Sequence, residues 1–511
     1  MTIYQLLPRL YGNRTHANVP HGTLAQNGCG KLKWIRLADL TALRRQGYTH
    51  VWFTGLLEHA TQTTYEGITP DHPDIVKGQA GSPYAVKDYY DIDPDLAIRP
   101  EDRMQDFRDL LRRTHRAGLK FIMDFVPNHV ARHYESDAAP QGVRDLGADD
   151  DTSQHFSPDN NFYYCPGETL RIGDYEETPA RATGNDRFDA HPSPNDWYET
   201  CKLNYGGMSP SSSTWQKMTD ILLFWANEGV DAFRCDMAEM VPVEFWQHAI
   251  ATVRQRYPHI DFIAEVYDPQ RYRDYIHRGG FQYLYDKVGL YDTLRSVITH
   301  GTSTHAISNA WKTVDDIRPH MLYFLENHDE QRIASSFFAA NALKARPAMA
   351  VEALMGNNPL MIYAGQEIGE RGMDAEGFSG LDGRTTIFDY WSPLFQQKLT
   401  GQAPLTPEEE SLRQWYAQLL RLRTHNRAFT DGPFFDLMYV NPHLQRQYAF
   451  LRGENRQTHL IVANFSDKPV TTDVFIPDHA CDILHCAAPN VLTVDVPAND
   501  YTILNIHEAS L

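Results

Sequence analysis

Long apolar runs are missing from this chain. No stretch reaches the ~18 consecutive apolar residues that a membrane-spanning helix requires, so a membrane partner is not expected. Positive charge is also short: 47 Lys and Arg against 66 Asp and Glu leave a formal net charge of −19. Such a surface repels phosphate backbones, which argues against nucleic acid as a partner. Cysteine is sparse. Six residues (Cys29, Cys165, Cys201, Cys235, Cys481 and Cys486) are scattered over 511 positions without a metal-type spacing, and reduced thiols are the expectation. The first residues, MTIYQLLPRLYGN, carry neither a basic n-region nor a cleavable apolar core, which points to the cytoplasm. There is no His-Glu-x-x-His run, no Gly-x-Ser-x-Gly elbow and no P-loop, which removes the common zinc-protease, esterase and nucleotide-binding signatures.

What is present alternates. Short apolar runs at 2–8, 50–55, 120–126, 230–235, 261–265, 281–286, 321–326 and 359–365 read as strands. A strand covered on both faces needs a near-continuous apolar run rather than alternation. Amphipathic stretches fall between them. Residues 101–118 place Met104, Phe107, Leu110 and Leu111 at helical spacing and stop at Gly118. Residues 406–426 open with Thr406, Pro407 and Glu409, the pattern of a capping box with proline in the first turn. Repeated strand–helix alternation predicts an α/β fold, a (β/α)8 TIM barrel. Two parts break the rhythm. Residues 130–210 are rich in Pro, Gly, Asp and Asn; a structureless loop of that length is improbable, so an inserted subdomain is expected. Beyond about residue 432 the helical patterns stop, and two strands around a polar turn at 446–466 with two more at 491–506 predict a C-terminal all-β sandwich. The expected division is 1–129 and 211–431 for the barrel, 130–210 for the insertion and 432–511 for the sandwich.

Reactive groups of such a barrel belong at the C-terminal ends of its strands. The third run ends in Asp124 to His129, the fourth in Arg234 and Asp236, the fifth in Glu265, and the seventh in Asn327, His328 and Asp329. Each alone reads as a strand-end polar group meeting solvent. Together they would gather charge that a core does not tolerate unpaired. Two carboxyls facing one bond suit glycoside hydrolysis, one as nucleophile and one as general acid. Arg234 would favour the ionised form of Asp236, and the charge of Asp329 would raise the pKa of Glu265.

The strings DFVPNH (124–129), FRCD (233–236), IAEVYDP (263–269) and ENHD (326–329) resemble, in order and spacing, the four short motifs of the α-amylase family of glycoside hydrolases. GSPYAVKDYYDID (81–93), ETCKLNYG (199–206) and NPLMIYAGQEIG (358–369) are similar to further family motifs. The resemblance implies Asp236 as nucleophile, Glu265 as acid/base and Asp329 as a stabiliser of the distorted sugar. It also implies that Arg234 orients Asp236, that Asp124 ties strand three to Arg234, that His129 and His328 bond the sugar, and that Tyr84 stacks on it. The family's Lys-His pair after the nucleophile is replaced by Glu239 and Met240; Glu239 is expected either to bind sugar hydroxyls or to cap a helix. Asn128 and Asn204 stand at calcium positions of the family, yet no accompanying carboxylates can be identified, and bracing of the inserted domain B by hydrogen bonds is the preferred reading. No cofactor is required for the chemistry. The expected substrate is an α-glucan or maltooligosaccharide. Transglycosylation on the same scaffold, α-1,6 cleavage and a non-catalytic binding or partner subunit are the alternatives. The Gly-rich segment 367–384 is expected to shape the sugar cleft.

Overall fold

Eight parallel strands close a barrel in which every strand pairs with its sequence neighbours. They are β1 (Thr2–Leu6), β2 (His50–Phe53), β3 (Lys120–Phe125), β4 (Ala232–Cys235), β5 (Asp261–Ala264), β6 (Tyr283–Tyr285), β7 (Met321–Phe324) and β8 (Leu360–Tyr363). The structure is a computed structural model that describes residues 1–374 and 380–507. All eight runs expected from the sequence are barrel strands, and β8 closes on β1 with Ile3 opposite Met361. Val51, Phe53, Ile122, Phe233, Phe262 and Leu322 are buried, as strands covered by helices outside and side-chain layers inside must be.

The helices expected at 101–118, 211–229 and 406–426 form as α1 (Arg103–Arg116), α2 (Ser213–Glu228) and α3 (Pro407–His425). At the start of α3 the capping box closes: the Glu409 N–H donates to Thr406 Oγ1 at 3.2 Å, and the Thr406 N–H donates to Glu409 Oε2 at 2.8 Å. Two of the first-turn donors that a helix leaves orphaned are thereby satisfied.

The segment after β3 is zipped at its base. His129–Ala131 pairs antiparallel with Thr200–Lys202, setting Lys202 opposite His129 and Thr200 opposite Ala131. Between them lie two small antiparallel pairs, Tyr164–Cys165 with Ala180–Arg181 and Leu170–Ile172 with Tyr175–Glu177. The buried Arg132 donates to Glu177 Oε1 at 2.8 Å across this segment. The zipper fixes the insertion beside the mouth of the barrel.

The C-terminal part departs from expectation in detail. A four-stranded sheet runs in the order β9 (Phe434–Asp436), β10 (Gln447–Arg452), β11 (His459–Asn464) and β14 (Asp500–Asn505), while β12 (Val470–Phe475) pairs with β13 (Val491–Val496). The two strands read at 491–506 are both present, as β13 and β14, and they belong to different sheets. A short helix, α4 (Asp478–Leu484), interrupts a region expected to be free of helix; it connects β12 to β13 along the chain and buries Ala480 and Leu484.

Candidate active site

The arginine at the end of β4 organises the mouth. Arg234 is 1% exposed. Its Nη1 lies 2.7 Å from Asp236 Oδ1 and 3.5 Å from Asp124 Oδ1, its Nη2 lies 2.9 Å from Glu265 Oε2, and its Nε donates to the Tyr285 hydroxyl at 3.1 Å. One guanidinium thus faces three carboxylates drawn from β3, β4 and β5, because parallel register sets Arg234 beside Asp124 on one side and Ile263 on the other. A planar fork of five donors is the side chain suited to this. Asp124 is held in turn by the Trp52 indole N–H at 3.0 Å and the Gly55 N–H at 3.2 Å, the structural tie expected of it.

Glu265 is gripped from three directions. Besides Arg234, the Met237 N–H donates to Oε2 at 2.8 Å and the Tyr267 hydroxyl donates to Oε1 at 2.7 Å. Met237 reaches this pose with φ 43°, in the left-handed region that side chains other than glycine seldom occupy. Strain of this kind persists where surroundings over-determine it, and it aims the backbone N–H at the carboxylate. Glu239 has a role the sequence did not suggest: its Oε2 accepts the N–H groups of Tyr267 and Asp268, each at 3.0 Å, and so staples the loop after β5. Tyr267, the residue that sequence reasoning passed over, sits two positions beyond Glu265 in the quoted string IAEVYDP.

A second chain of contacts supports Tyr84 and Asp329. The Gln5 amide donates to His328 Nδ1 at 2.8 Å, which leaves the ring proton on Nε2. That nitrogen lies 2.6 Å from the Tyr84 hydroxyl and 3.1 Å from Asp329 Oδ2. The Tyr84 ring stacks on His328 with centroids 5.2 Å apart. Burial holds His328 neutral, well below its ordinary pKa, and burial pushes His129 down to about 3. Both are therefore neutral hydrogen-bonding rings.

The charge distribution differs from the sequence expectation, in which Asp236 is simply ionised. Burial pushes the Asp236 carboxyl well above the usual range, Arg234 pulls it back, and Glu265 and Asp329 push it up again. Burial and then Glu265 raise Asp329 to about 7. A cluster of carboxylates facing one guanidinium keeps a proton near neutrality, shared as a property of the group. A raised carboxyl pKa means that the folded state holds the proton more tightly than the unfolded chain. The ionised group then costs stability, nothing below the unfolded pKa near 4, increasingly up to about 7, and constantly above. The Asp329→Asn variant is accordingly expected to melt above the wild type at about pH 8, with the gap closing as the pH falls towards about 4. Thermal scans across that window would contradict this if the gap were constant.

The calcium positions do not fit a metal. Asn128 Oδ1 accepts from the Lys202 ammonium, and its Nδ2 donates to Gly184 O at 2.8 Å. Lys202 Nζ also lies 3.3 Å from Met240 O and 2.8 Å from Asp186 Oδ1. Asn204 Nδ2 donates to Ser157 O and Asn160 O, and its Oδ1 accepts from the Gly206 N–H. Both amides are committed to protein partners, and a lysine cation stands where a divalent ion would have to approach Asn128. The bracing role preferred from the sequence is the one these contacts describe. EDTA is expected to shift the melting temperature by less than about 1 °C, because Lys202 and backbone partners already satisfy the two amides and removing an ion would cost these positions nothing. A drop of several degrees that calcium restores would overturn this. Elsewhere, Glu58, Asp91 and Asp137 form the one group of described residues close enough for a metal, but Arg103 Nη2 lies 2.6 Å from Asp91 and 3.3 Å from Asp137 and supplies the charge.

Tyr84, His129, Asp236, Glu265 and Asp329 line one cavity of about 390 Å³, together with Met237 and Tyr267. Arg234 and His328 stand behind them, and Asn128, Asn204 and Glu239 lie outside the lining. Of the segment 367–384, residues 375–379 lie outside the described residues. No helix of the described residues is long and apolar enough to cross a membrane.

A (β/α)8 barrel with carboxylates and an arginine gathered at the C-terminal ends of its strands is a glycoside-hydrolase architecture. The family model for the alpha-amylase catalytic domain matches residues 5–389, and the chain belongs to that family. It is 25% identical over 383 residues to Alpha-amylase 3 of Dictyoglomus thermophilum, covering 68% of each protein. It is 24% identical over 507 residues to Neopullulanase 2 of Thermoactinomyces vulgaris, covering 93% of this chain and 71% of the relative. The maltogenic α-amylase AmyB of Thermotoga neapolitana has the same fold, with a TM-score of 0.64 at 20% identity over 99% of this chain and 98% of that one.

Proposed function

We propose that this protein hydrolyses α-1,4-glucosidic bonds of starch-type glucans or maltooligosaccharides through a covalent glycosyl-enzyme. The observation that carries the reading is the single buried Arg234 guanidinium, 2.7 Å from Asp236 and 2.9 Å from Glu265, two carboxylates that both line the cavity. Asp236 attacks the anomeric carbon while Glu265 protonates the departing glucosyl oxygen. Water then enters, gives its proton to Glu265 and displaces Asp236, so the anomeric configuration is retained. Asp329 accepts hydrogen bonds from hydroxyls of the distorted ring. Tyr84 offers its free face to the apolar side of the sugar, and His129 bonds a hydroxyl as a neutral ring. Arg234 and His328 act through their neighbours, Arg234 by placing both carboxylates and His328 by holding Tyr84 and Asp329.

The division into barrel, inserted domain at 130–210 and C-terminal sandwich from 432 follows the zipper at His129–Ala131 and the sheet that begins at Phe434. A cytoplasmic setting accords with six free thiols, since a reducing compartment preserves them.

The test is time-resolved chromatography of products from starch, maltoheptaose, cyclodextrin and pullulan, with the anomeric form of the first product read by NMR. Shorter α-anomeric maltooligosaccharides are expected. Products longer than the substrate would transfer the reading to a transglycosylase, and absence of cleavage on all four would end it.

A further inference from the structure

The cavity contains a charged pair that the chemistry above does not use. Lys77, from the loop after β2, has its Nζ 3.0 Å from Oε1 of Glu199, the residue just before the strand Thr200–Lys202. Glu199 is 4% exposed, and its Oε2 is buried with no hydrogen-bond partner. Both side chains line the same cavity as Asp236, Glu265 and Asp329. A buried carboxylate oxygen left unsatisfied in a ligand cavity is costly unless a ligand completes it.

The pair is placed along the zipper: Lys202 stands opposite His129 and Thr200 opposite Ala131, so Glu199 falls beside Arg132, three residues on from His129. With Glu265 read as the acid, the leaving group departs on the Glu265 side. Trp197 approaches the His129 ring at 5.2 Å, and the Arg132 N–H donates to Glu199 O at 3.0 Å, one step further along the zipper. A third loop closes behind it: the Ala80 N–H donates to Phe388 O at 3.0 Å, and the Gln79 N–H donates to Asp389 Oδ1 at 3.0 Å. The loop after β2, the end of the inserted segment and the loop after β8 therefore meet at this end.

We propose that the Lys77–Glu199 bridge closes the glycone end of the cleft and binds the free 4-hydroxyl, with its neighbour, of a non-reducing terminal glucosyl unit, so that the enzyme acts from chain ends. The proposal rests on the reading of Asp236 and Glu265 given above. An ammonium carries three donors and a carboxylate only acceptors, a pair matched to a vicinal diol that both accepts and donates. A chain end presents that diol. In the interior of a glucan the 4-oxygen is an ether with no proton for Glu199, and the next ring would have to pass between charged atoms 3.0 Å apart. A cavity of about 390 Å³ is of the size that encloses a small ligand.

The experiment compares maltoheptaose glycosides with a free or a 4,6-ethylidene-blocked non-reducing end, following substrate consumption by chromatography. The wild type is expected to consume the blocked compound at least about 100-fold more slowly, since sites built to bond a hydroxyl reject analogues that lack it. In the Lys77→Met, Glu199→Gln double variant the ratio is expected to fall below about 10. Comparable wild-type rates on both substrates would overturn the closure while leaving the hydrolase reading intact. Failure on the free-ended substrate would instead overturn the hydrolase reading. Undiminished discrimination in the double variant would remove these two residues from the role. Should the double variant not fold, Lys77→Ala alone carries the same comparison: a reduced ratio supports the bridge, and an unchanged ratio removes it.

Discussion

The Asp236→Asn variant is expected to lose turnover on maltoheptaose by about 10⁴-fold or more, while folding as the wild type does and melting no lower. The amide is isosteric and can still meet Arg234, but it cannot form the ester to the anomeric carbon. About 5.5 kcal/mol of transition-state stabilisation is involved, at 1.36 kcal/mol per decade. The buried group sits in a cluster with more carboxylates than cations. Neutralising it relieves repulsion, so no stability loss accompanies the loss of rate. Steady-state rates with thermal scans on the same preparation decide the matter. A variant that retained a tenth of wild-type activity would remove Asp236 from the nucleophile's role, and one that bound maltoheptaose with unaltered function would favour a binding protein.

The Glu265→Gln variant is expected to separate the two half-reactions. On maltooligosaccharides, whose leaving group needs a proton, the rate should fall by about 10²–10⁴, the usual contribution of general acid catalysis. On an aryl α-glycoside with a good leaving group, the first step should proceed near the wild-type rate. The intermediate should then accumulate, because water lacks its base, and a burst of released phenol should be visible in stopped flow. Equal loss on both substrates would mean that Glu265 only positions the site through its contacts with Tyr267, Met237 and Arg234.

The barrel was legible because its strands are buried on both faces and therefore read as continuous apolar runs, from TIYQL in β1 to LMIY in β8. The start of α3 was legible because a capping box is local, spanning Thr406 to Glu409. The sandwich was only half legible. β13 alternates exposed and buried residues and is recognisable as a strand, but its partner β12 lies across α4, and no local pattern names a distant partner. β9, three residues long, falls below what periodicity resolves. The residue types of the site were readable at the strand ends, whereas their burdens were not. Glu239 serves a loop 28 residues away, and the upward push on the Asp236 and Asp329 carboxyls depends on burial and on the other carboxylates gathered around Arg234. Lys202 was in view within ETCKLNYG, but its meeting with Asn128, 74 positions earlier, exists only once the zipper forms.

That lysine has a consequence for where the enzyme can work. The cation joining the insertion to the barrel is tethered to the polypeptide, so it is present once per folded molecule whatever the ionic composition outside. Dilution, phosphate or a chelating metabolite cannot strip it away, and this junction does not wait on a supply of free divalent ions. What is given up is a control knob: fluctuations in calcium pass this junction unnoticed.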